Sequence, residues 1–412
     1  MDEIRLKEAE VTSVSIIQNA IDALGEEGGR VVLPVMDLVV DRGIEMRSNV
    51  SLVGQGSETV LHQAPGRIYP LSGYHNYGML DVPLMYTDGL EPGMTVAIRD
   101  NRHGGFFETF ARITWVEGSW VGIDRGLHSD YHADEDPVLV TAFPMIYGLG
   151  VENVSVASIT LDGHRENQPT GIGACRGAAV YFLQSHGLRI ANVVAVNFAG
   201  EGIGYQMCSQ VDLRECRATG NAGNGFHPGA GSTGSSYEGC TAERNGAAGF
   251  FFCVRANHIS VRGCTFAENM GAGISVGTRD NNNLIDGCTI RANAGPGILF
   301  RETRRPVEVR SCRVRHCDVE ANAHAHGAGQ IVIEGDARDL ALEDNRIVGA
   351  AERERAGIYV APSAASIWLA QNDIRGCFPS VVADDVSLAP TDPVTECGFE
   401  TVTLSHYRHL GR

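Results

Sequence analysis

Two carboxylates, Asp280 and Glu302, have the spacing of an acid and base pair that cleaves a glycosidic bond. Asp280 lies in the segment GTRDNNN (277–283), and Glu302 ends the segment LFRE (299–302). A 24-residue repeat, described below, sets Glu302 over Thr278, so strand geometry predicts about 8 Å between the two Cα atoms. One carboxyl group would act as the acid and the other as nucleophile or base. A retaining separation near 5 Å and an inverting one of roughly 6.5–9.5 Å both remain open.

Three arginines surround this pair in the predicted register. Arg255, Arg279 and Arg301 would keep one carboxylate ionised, while that carboxylate would raise the pKa of its neighbour. The alternative is a surface ladder of ion pairs, in which Asp280 and Glu302 only neutralise stacked arginines. Asp280 is nevertheless the one residue of GTRDNNN for which the repeat itself demands no structural role.

His227 is the third candidate catalytic residue. Alternation within its strand points it outward, and the residue one repeat later is Phe251, whose ring could support a sugar. Gln206 lies on the same face, two positions further along the strand of the preceding repeat. His227 could act as a general base or bind a sugar hydroxyl; the alternative is a solvent-exposed histidine in a turn with no role.

Four further polar residues are candidates for contacts with a substrate: Asp162, His164, Asn282 and Glu334. Ordinary loop polarity is the alternative for Asp162 and His164, and a turn with left-handed backbone is the alternative for Asn282. Glu334 continues an acidic edge that would suit calcium, but the sequence contains no recognisable calcium-binding pattern. We therefore predict neither a metal nor a cofactor.

The elements that must position these residues repeat with one period. Cysteines, asparagines and glycines each recur every 24 residues: Cys216, Cys240, Cys264, Cys288 and Cys312; Asn221, Asn245, Asn269 and Asn293; Gly225, Gly249, Gly273 and Gly297. Superposed ladders of this kind indicate stacked repeats. The cysteines should form a buried apolar stack, because no CxxC pair suggests zinc. The asparagines should form a turn ladder that is hydrogen-bonded between coils and tolerates left-handed backbone.

This repeat resembles the right-handed parallel β-helix of the pectate-lyase superfamily. The cleanest copy, HISVRGCTFAENMGAGISVG (258–277), alternates apolar and polar residues in three short strands without a helical stretch between them. The segment SVSIIQNAIDALGEEGGRVVLP (13–34) predicts an amphipathic helix, a Gly-Gly stop and a first strand, and such proteins commonly open this way. Segments such as GFHPGAGS and FFCVR are similar to those of uncharacterised bacterial carbohydrate-active β-helix proteins. The resemblance implies an all-β solenoid with an N-terminal capping helix.

The rhythm of the chain predicts four regions. These are an N-terminal cap helix with the first coils (1–66), a small inserted β-module (67–146), parallel β-helix coils carrying the cleft (147–380) and a C-terminal tail (381–412). Side chains from stacked coils form columns, and a groove between columns can hold an extended polymer. An oligo- or polysaccharide is therefore the expected partner.

Three functions fit these residues. The first is cleavage or transfer of a glycosidic bond by Asp280 and Glu302. The second is a lyase or C5-epimerase of uronic acids, in which Arg255 or Arg301 neutralises the carboxylate and His227 abstracts the C5 proton. The third is glycan binding without catalysis, because this fold hosts unrelated functions. We take the first as the working hypothesis.

Net charge and composition limit the classes of molecule that this chain is expected to bind. The chain has 33 basic and 50 acidic residues and a net charge of −17, which argues against nucleic acid and disfavours long polyanions. Lys7 is the only lysine, so lysine chemistry is essentially excluded. The sequence predicts no signal peptide and no membrane span, so we expect a cytoplasmic protein, or a secreted one if a leader has been removed. Either a monomer or a homo-oligomer is expected, and a trimer would suit side-by-side packing of β-helices.

Overall fold

Three long parallel sheets form the body of the protein. The computed structural model describes residues 2–102, 108–141, 143–168, 175–303, 309–350 and 355–383. Sheet 1 has 12 strands, and sheets 2 and 3 have 11 strands each. Every coil contributes one strand to each sheet, and hydrogen bonds join each strand to the equivalent strand of the next coil. The prediction of an all-β parallel β-helix is confirmed.

The N-terminal region closes one end of the solenoid. Its elements are β1 (Asp2–Arg5), α1 (Val14–Ala23), β2 (Gly29–Val32), β3 (Met36–Val40), β4 (Ile44–Glu45), β5 (Val50–Val53) and β6 (Thr59–Gln63). Helix α1 buries Val14, Ile17 and Ile21 against the first coils, as the amphipathic pattern predicts. Strand β1 was not foreseen. It has three charged residues among its four, so no apolar alternation marks it, yet it pairs in parallel with β2.

A six-stranded sheet is inserted between the first coils and the rest. Its strands are β7 (Ile68–Pro70), β8 (Asp81–Pro83), β9 (Thr95–Arg99), β10 (Thr109–Glu117), β11 (Trp120–Ile123) and β12 (Val138–Val140), in the antiparallel order β7-β12-β9-β10-β11-β8. The sheet packs around its own apolar cluster, which includes Tyr69, Ile98 and Tyr131. The predicted inserted β-module is therefore present, and its strands lie within residues 67–146.

The remaining strands follow in successive coils, each in the order sheet 3, sheet 1, sheet 2. They are β13 (Ile146–Leu149), β14 (Ser155–Ala157), β15 (Thr160–Asp162); β16 (Val180–Leu183), β17 (His186–Ala191), β18 (Val194–Val196); β19 (Ile203–Gln206), β20 (Ser209–Arg214), β21 (Arg217–Thr219); β22 (Phe226–Pro228), β23 (Ser236–Glu238), β24 (Thr241–Glu243); β25 (Phe250–Phe251), β26 (Ser260–Arg262), β27 (Thr265–Ala267); β28 (Ile274–Val276), β29 (Leu284–Asp286), β30 (Thr289–Arg291); β31 (Ile298–Phe300), β32 (Arg313–Arg315), β33 (Asp318–Glu320); β34 (Gly329–Ile333), β35 (Arg338–Glu343), β36 (Arg346–Val348); β37 (Ala356–Val360), β38 (Ala365–Ala370), β39 (Asp373–Arg375) and β40 (Val381–Val382).

Cys216, Cys240, Cys264 and Cys288 lie inside the solenoid, at the corner between sheets 1 and 2. The prediction is wrong for Cys312, which precedes β32 at the corner between sheets 3 and 1; because this coil is longer, Cys317 takes the next place in the ladder. All six cysteines are at most 2% exposed and none forms a disulfide. The thiol of Cys216, for example, donates to the Ile190 carbonyl oxygen of the preceding coil at 3.3 Å. The cysteines therefore pack as small apolar residues, as predicted.

The asparagine ladder lies at the corner between sheets 2 and 3. Nδ2 of Asn245 donates to Oδ1 of Asn269 at 2.9 Å, and Asn269 repeats this bond to Asn293 at the same distance. Each side chain is fully buried, so the predicted hydrogen-bonded ladder is confirmed. These asparagines do not use the left-handed backbone that the residue type tolerates, because their φ angles are not positive. Gly249 is required beside this ladder, since a Cβ atom there would lie 2.8 Å from Asn269 Nδ2.

No helix among the described residues is long and apolar enough to cross a membrane.

Candidate functional site

The outer face of sheet 3 carries a column of side chains in the predicted register. Gly204 pairs with His227 across β19 and β22, and Phe251, Ser275 and Leu299 follow on β25, β28 and β31. His227 and Ser275 are nevertheless 4% and 5% exposed. This part of the face is therefore covered, whereas the sequence predicted an exposed histidine or an open groove.

A buried Glu–His pair forms the centre of the site. Glu201 Oε2 lies 2.6 Å from Nδ1 of His227, and Glu201 also accepts a hydrogen bond from Nδ2 of Asn224 at 2.7 Å. The contact fixes the orientation of the ring and leaves Nε2 without a hydrogen-bond partner among the described residues. Sequence reasoning missed Glu201. The only signal was its place directly before Gly202, at the turn that leads into β19.

Cys253 lies beside the ring of His227. Burial alone would lower the pKa of His227, but the Glu201 carboxylate and the Cys253 side chain outweigh burial and raise that pKa to about 10. Cys253 is half-buried, unlike the ladder cysteines, and it stands outside their 24-residue period. This departure from the ladder was the signal that could have identified it. The site therefore combines a carboxylate, an imidazole and a thiol.

Arg301 reaches back across two coils to complete the site. Its guanidinium carbon lies 4.2 Å from the centre of the Phe251 ring, which in turn meets His227 edge to face at 5.0 Å. Arg301 donates to Ser275 Oγ at 2.9 Å and to the Phe252 carbonyl oxygen at 2.6 Å. A fixed positive charge thus lies on the same face as His227, with the Phe251 ring between them.

Gly277 makes room for this arginine. A Cβ atom at Gly277 would lie 2.4 Å from both Nε and Cζ of Arg301. Gly277, directly after strand β28, therefore lets the guanidinium lie against the sheet.

Asp280 is enclosed rather than presented to a substrate. It is 0% exposed, and its carboxylate accepts hydrogen bonds from the amides of Ala256 at 2.9 Å and Gly277 at 2.8 Å. Arg301 Nη2 lies 3.6 Å from the same carboxylate. Burial raises the pKa of Asp280 to about 7, although Arg301 and the two amides oppose the shift. The expectation that Asp280 has no structural role is wrong, because it joins two coils at this turn.

The proposed partner of Asp280 lies in a different environment. Glu302 is exposed, and its backbone amide donates to the carboxylate of Glu334 at 3.2 Å. Arg255 and Arg279 are exposed as well, at turn positions with φ of 63° and 56°. The enclosed carboxylate of Asp280 and the exposed Glu302 do not share one environment. The two-carboxylate site stays a prediction without support from this arrangement.

Of the other residues predicted to contact a substrate, some lie beside this site and some lie on another sheet. Gln206 is 3% exposed, and its Oε1 accepts from the Tyr181 hydroxyl at 3.3 Å and lies 3.8 Å from the Cys175 thiol. Cys175 covers Gly204, so Gln206 belongs to the shell around the site. Asn282 forms a turn with φ of 57°. Asp162 is the last residue of β15 and therefore lies on sheet 2, away from the site on sheet 3, and His164 lies two residues beyond it.

Several cavities among the described residues lie outside this site. One of about 330 Å³ is lined by Asp22, Glu26 and Arg47 beside the capping helix, and one of about 220 Å³ is lined by Gln184, His186 and Met207 among other residues. Neither cavity includes His227. Buried, oriented acid and base groups such as Glu201 and His227 are a stronger sign of chemistry than the volume of a cavity.

A family model described as right handed beta helix region matches residues 146–281 and 252–385. The two matches together span more than half of the chain, including Glu201, His227, Cys253 and Arg301. A search of curated proteins found no significant match.

Solved structures share the fold at low sequence identity. The Azotobacter vinelandii mannuronan C-5 epimerase AlgE4 A-module is 18% identical with a TM-score of 0.60, and the match covers 92% of this chain and 95% of that one. The polygalacturonase from Erwinia carotovora is 11% identical with a TM-score of 0.58 and coverage of 94% and 96%. The N-terminal fragment of bacteriophage Phi29 gene product 12 is 16% identical with a TM-score of 0.58, covering 90% of this chain and 62% of that fragment. These likenesses establish the fold and not an activity.

Proposed function

This chain belongs to the right handed β-helix family, and on that premise we propose that it is a carbohydrate-active enzyme that breaks the C5–H bond of a uronic acid unit. The observation that carries the proposal is His227, which is buried, held at Nδ1 by Glu201 and unpartnered at Nε2 among the described residues. A ring fixed by a carboxylate, with the Cys253 side chain beside it, is an arrangement suited to proton transfer.

Arg301 supports a uronic acid as the substrate. The C6 carboxylate of a uronate makes the neighbouring C5 proton acidic only if the negative charge that develops there is stabilised. Arg301 supplies a fixed positive charge for this purpose, and its side chain is 20% exposed. Ser275 and Phe252 accept from two of its five N–H groups and the Asp280 carboxylate lies 3.6 Å from Nη2, so donors still remain for an anion. The charge of Arg301 affects the binding of an anionic sugar more than the net charge of −17 does, because salt screens charges that lie far from the site.

The raised pKa of His227 changes the role that the sequence suggested for it. With a pKa of about 10, the ring carries a proton at Nε2 near neutral pH and acts as the acid rather than the base. Cys253 is the neighbouring group that we assign as the proton acceptor, because its side chain lies beside the ring of His227. His227 and Cys253 thus form an acid and base pair in this proposal.

The proposed reaction is a β-elimination. The C5–H bond breaks and its proton moves to the sulfur of Cys253, while the electron pair spreads onto the C6 carboxylate beside Arg301. The pair then forms a C4–C5 double bond as the C4–O4 bond breaks, and Nε2 of His227 donates its proton to O4. The products are a shortened chain and a 4,5-unsaturated uronate. Delivery of a proton to the opposite face of C5 before cleavage would give epimerisation instead.

Fold comparisons support the substrate class and leave the reaction open, since one similar structure is a mannuronan C-5 epimerase and another is a polygalacturonase. Hydrolysis by Asp280 and Glu302 is the second candidate. Its support is the raised pKa of Asp280, the property of a general acid, and its weakness is the complete enclosure of that carboxylate.

Product analysis separates these functions. Oligosaccharides of mannuronate, guluronate and galacturonate, with neutral oligosaccharides as controls, are incubated with the wild type and with His227→Gln, Cys253→Ser and Arg301→Gln. Elimination gives an ultraviolet-absorbing unsaturated uronate, and epimerisation changes the NMR signature at C5 without chain cleavage. Either result should fall at least 100-fold in His227→Gln. Cleavage without unsaturation, lost in Asp280→Asn, would instead favour hydrolysis, and binding without turnover would leave a glycan-binding protein.

A further inference from the structure

Two histidines and an aspartate meet on the outer face of sheet 2, away from the Glu–His pair on sheet 3. His62 on β6 and Asp162 on β15 are direct neighbours across the two strands, although 100 residues separate them in the sequence. His164 follows two residues after Asp162. One potential ligand atom from each of the three side chains lies within 4.8 Å of the other two. The insertion of the β-module between these strands hid this contact from sequence reasoning.

The distances between these atoms fit a coordination sphere. Oδ2 of Asp162 lies 3.5 Å from Nδ1 of His62 and 3.5 Å from Nε2 of His164. Ligands about 2.0–2.1 Å from a tetrahedral metal ion are about 3.3–3.4 Å from each other. The three atoms thus already surround a point that a divalent ion could occupy, and 3.5 Å is long for a direct hydrogen bond.

The arrangement around His62 points to a missing positive partner. Its Nδ1 is buried and has no hydrogen-bond partner among the described residues, yet it faces a carboxylate oxygen. On the other side of the ring, Asp37 Oδ1 lies 3.1 Å from Nε2 and favours the proton on that nitrogen. The lone pair of Nδ1 and the oxygen of Asp162 then face each other, which is unfavourable unless a cation lies between them.

The second histidine is held in place by the same aspartate. The backbone amide of His164 donates to Oδ1 of Asp162 at 3.1 Å, and His164 adopts a left-handed conformation with φ of 43°. Its ring stacks on that of His62 with 4.7 Å between the ring centres. One oxygen of Asp162 therefore fixes the His164 backbone, while the other is left for a ligand.

The geometry points to a site for a divalent first-row metal ion such as Zn²⁺, held by His62, Asp162 and His164, with Asp37 orienting His62. A carboxylate behind a metal-binding histidine is a common supporting contact. Two carboxylates and two neutral imidazoles carry a charge of −2, which one divalent ion neutralises. The ligand side chains are between 19% and 32% exposed, so the remaining coordination position is open to water or to an anionic group.

Calorimetric titration with Co²⁺ and Zn²⁺ tests the site on the full chain. We expect one ion per chain with micromolar or tighter affinity, a visible Co²⁺ spectrum without sulfur charge transfer, and a higher melting temperature when the ion is bound. His62→Gln and His164→Gln should each weaken binding at least 100-fold, and Asp37→Asn about 10-fold. Circular dichroism and melting of the metal-free variants verify that they are folded.

His316→Gln is the matched control, because His316 also faces two aspartates, Asp286 at 2.9 Å and Asp344 at 4.0 Å, without a second histidine. It should bind the metal like the wild type. The proposal is overturned if no ion binds, if the Co²⁺ spectrum indicates thiolate ligands, or if the folded His62→Gln and His164→Gln variants bind as tightly as the control.

Discussion

Replacing Glu201 with glutamine should move the pKa of His227 further than any other single change near the site. The Glu201 carboxylate, 2.6 Å from Nδ1, is the main influence that raises this pKa to about 10, and burial acts in the opposite direction. With the charge removed, only Cys253 still opposes burial, and the pKa should fall toward the ordinary value of about 6.5. A fall of about 3.5 units corresponds to a loss of about 5 kcal/mol in preference for the imidazolium form.

The assay is an NMR titration of the histidine rings between about pH 5 and 10.5, with the His227 signal assigned by its loss in His227→Gln. Glu152→Gln is the control, because it removes a carboxylate 3.6 Å from a different histidine, His186, and should leave His227 unchanged. The reasoning is refuted if His227 titrates near 6.5 in the wild type, or if Glu201→Gln leaves its titration in place.

The same pair predicts how stability depends on pH. Because the pKa of His227 is raised in the folded state, its stabilising contribution is fully present below about pH 6.5 and is lost as the pH rises through about 10. The destabilisation of Glu201→Gln relative to the wild type should therefore be largest near pH 6 and smallest near pH 10. Urea unfolding followed by circular dichroism at the two pH values measures this difference.

Three further changes test the surroundings of the site. The raised pKa of Asp280 makes its contribution to stability full below pH 3.8 and absent above about pH 7, so the wild type should lose up to about 4 kcal/mol of stability between about pH 4 and 7. Asp280→Asn should not show this loss, and urea unfolding at both pH values measures the difference. Gly277→Ala should displace the Arg301 guanidinium, which lies 2.4 Å from the new Cβ, and weaken uronate binding at least 10-fold in calorimetry with little change in melting temperature. Asn269→Ala should cost about 3 kcal/mol in urea unfolding, because it leaves buried amides of the ladder unpaired.

The fold could be predicted from the sequence because the same residue types recur at equivalent positions of each coil. Identical residues such as Asn245 and Asn269 stack directly, and each hydrogen-bonds to the next, so the ladder period gives the strand register. Helix α1 could also be predicted, because its apolar residues recur with helical spacing on the one face that packs on the first coils. Strand β1 could not be predicted, because a charged edge strand shows no alternation of apolar and polar residues.

The site was only partly accessible. The register correctly placed His227 beside Phe251 and set Arg301 on the same face, since columns follow from the period. It gave no information on side-chain partners: Glu201 reaches His227 from the preceding turn, and the Asp280 carboxylate turns toward backbone amides. Burial also changes the chemistry of these groups, and burial on an outer face depends on covering loops that the repeat does not describe.

The central claim is that this chain breaks a C5–H bond of a uronate, with Cys253 as the group that accepts the proton and His227 as the acid beside it. Its most direct test uses uronic acid oligosaccharides that carry deuterium at C5 and measures the transfer of the label into water by NMR. Elimination and epimerisation both release the label, whereas hydrolysis and simple binding retain it. The account predicts release by the wild type and at least 100-fold slower release by the folded Cys253→Ser variant. Turnover of the substrate with the label retained at C5 would contradict it.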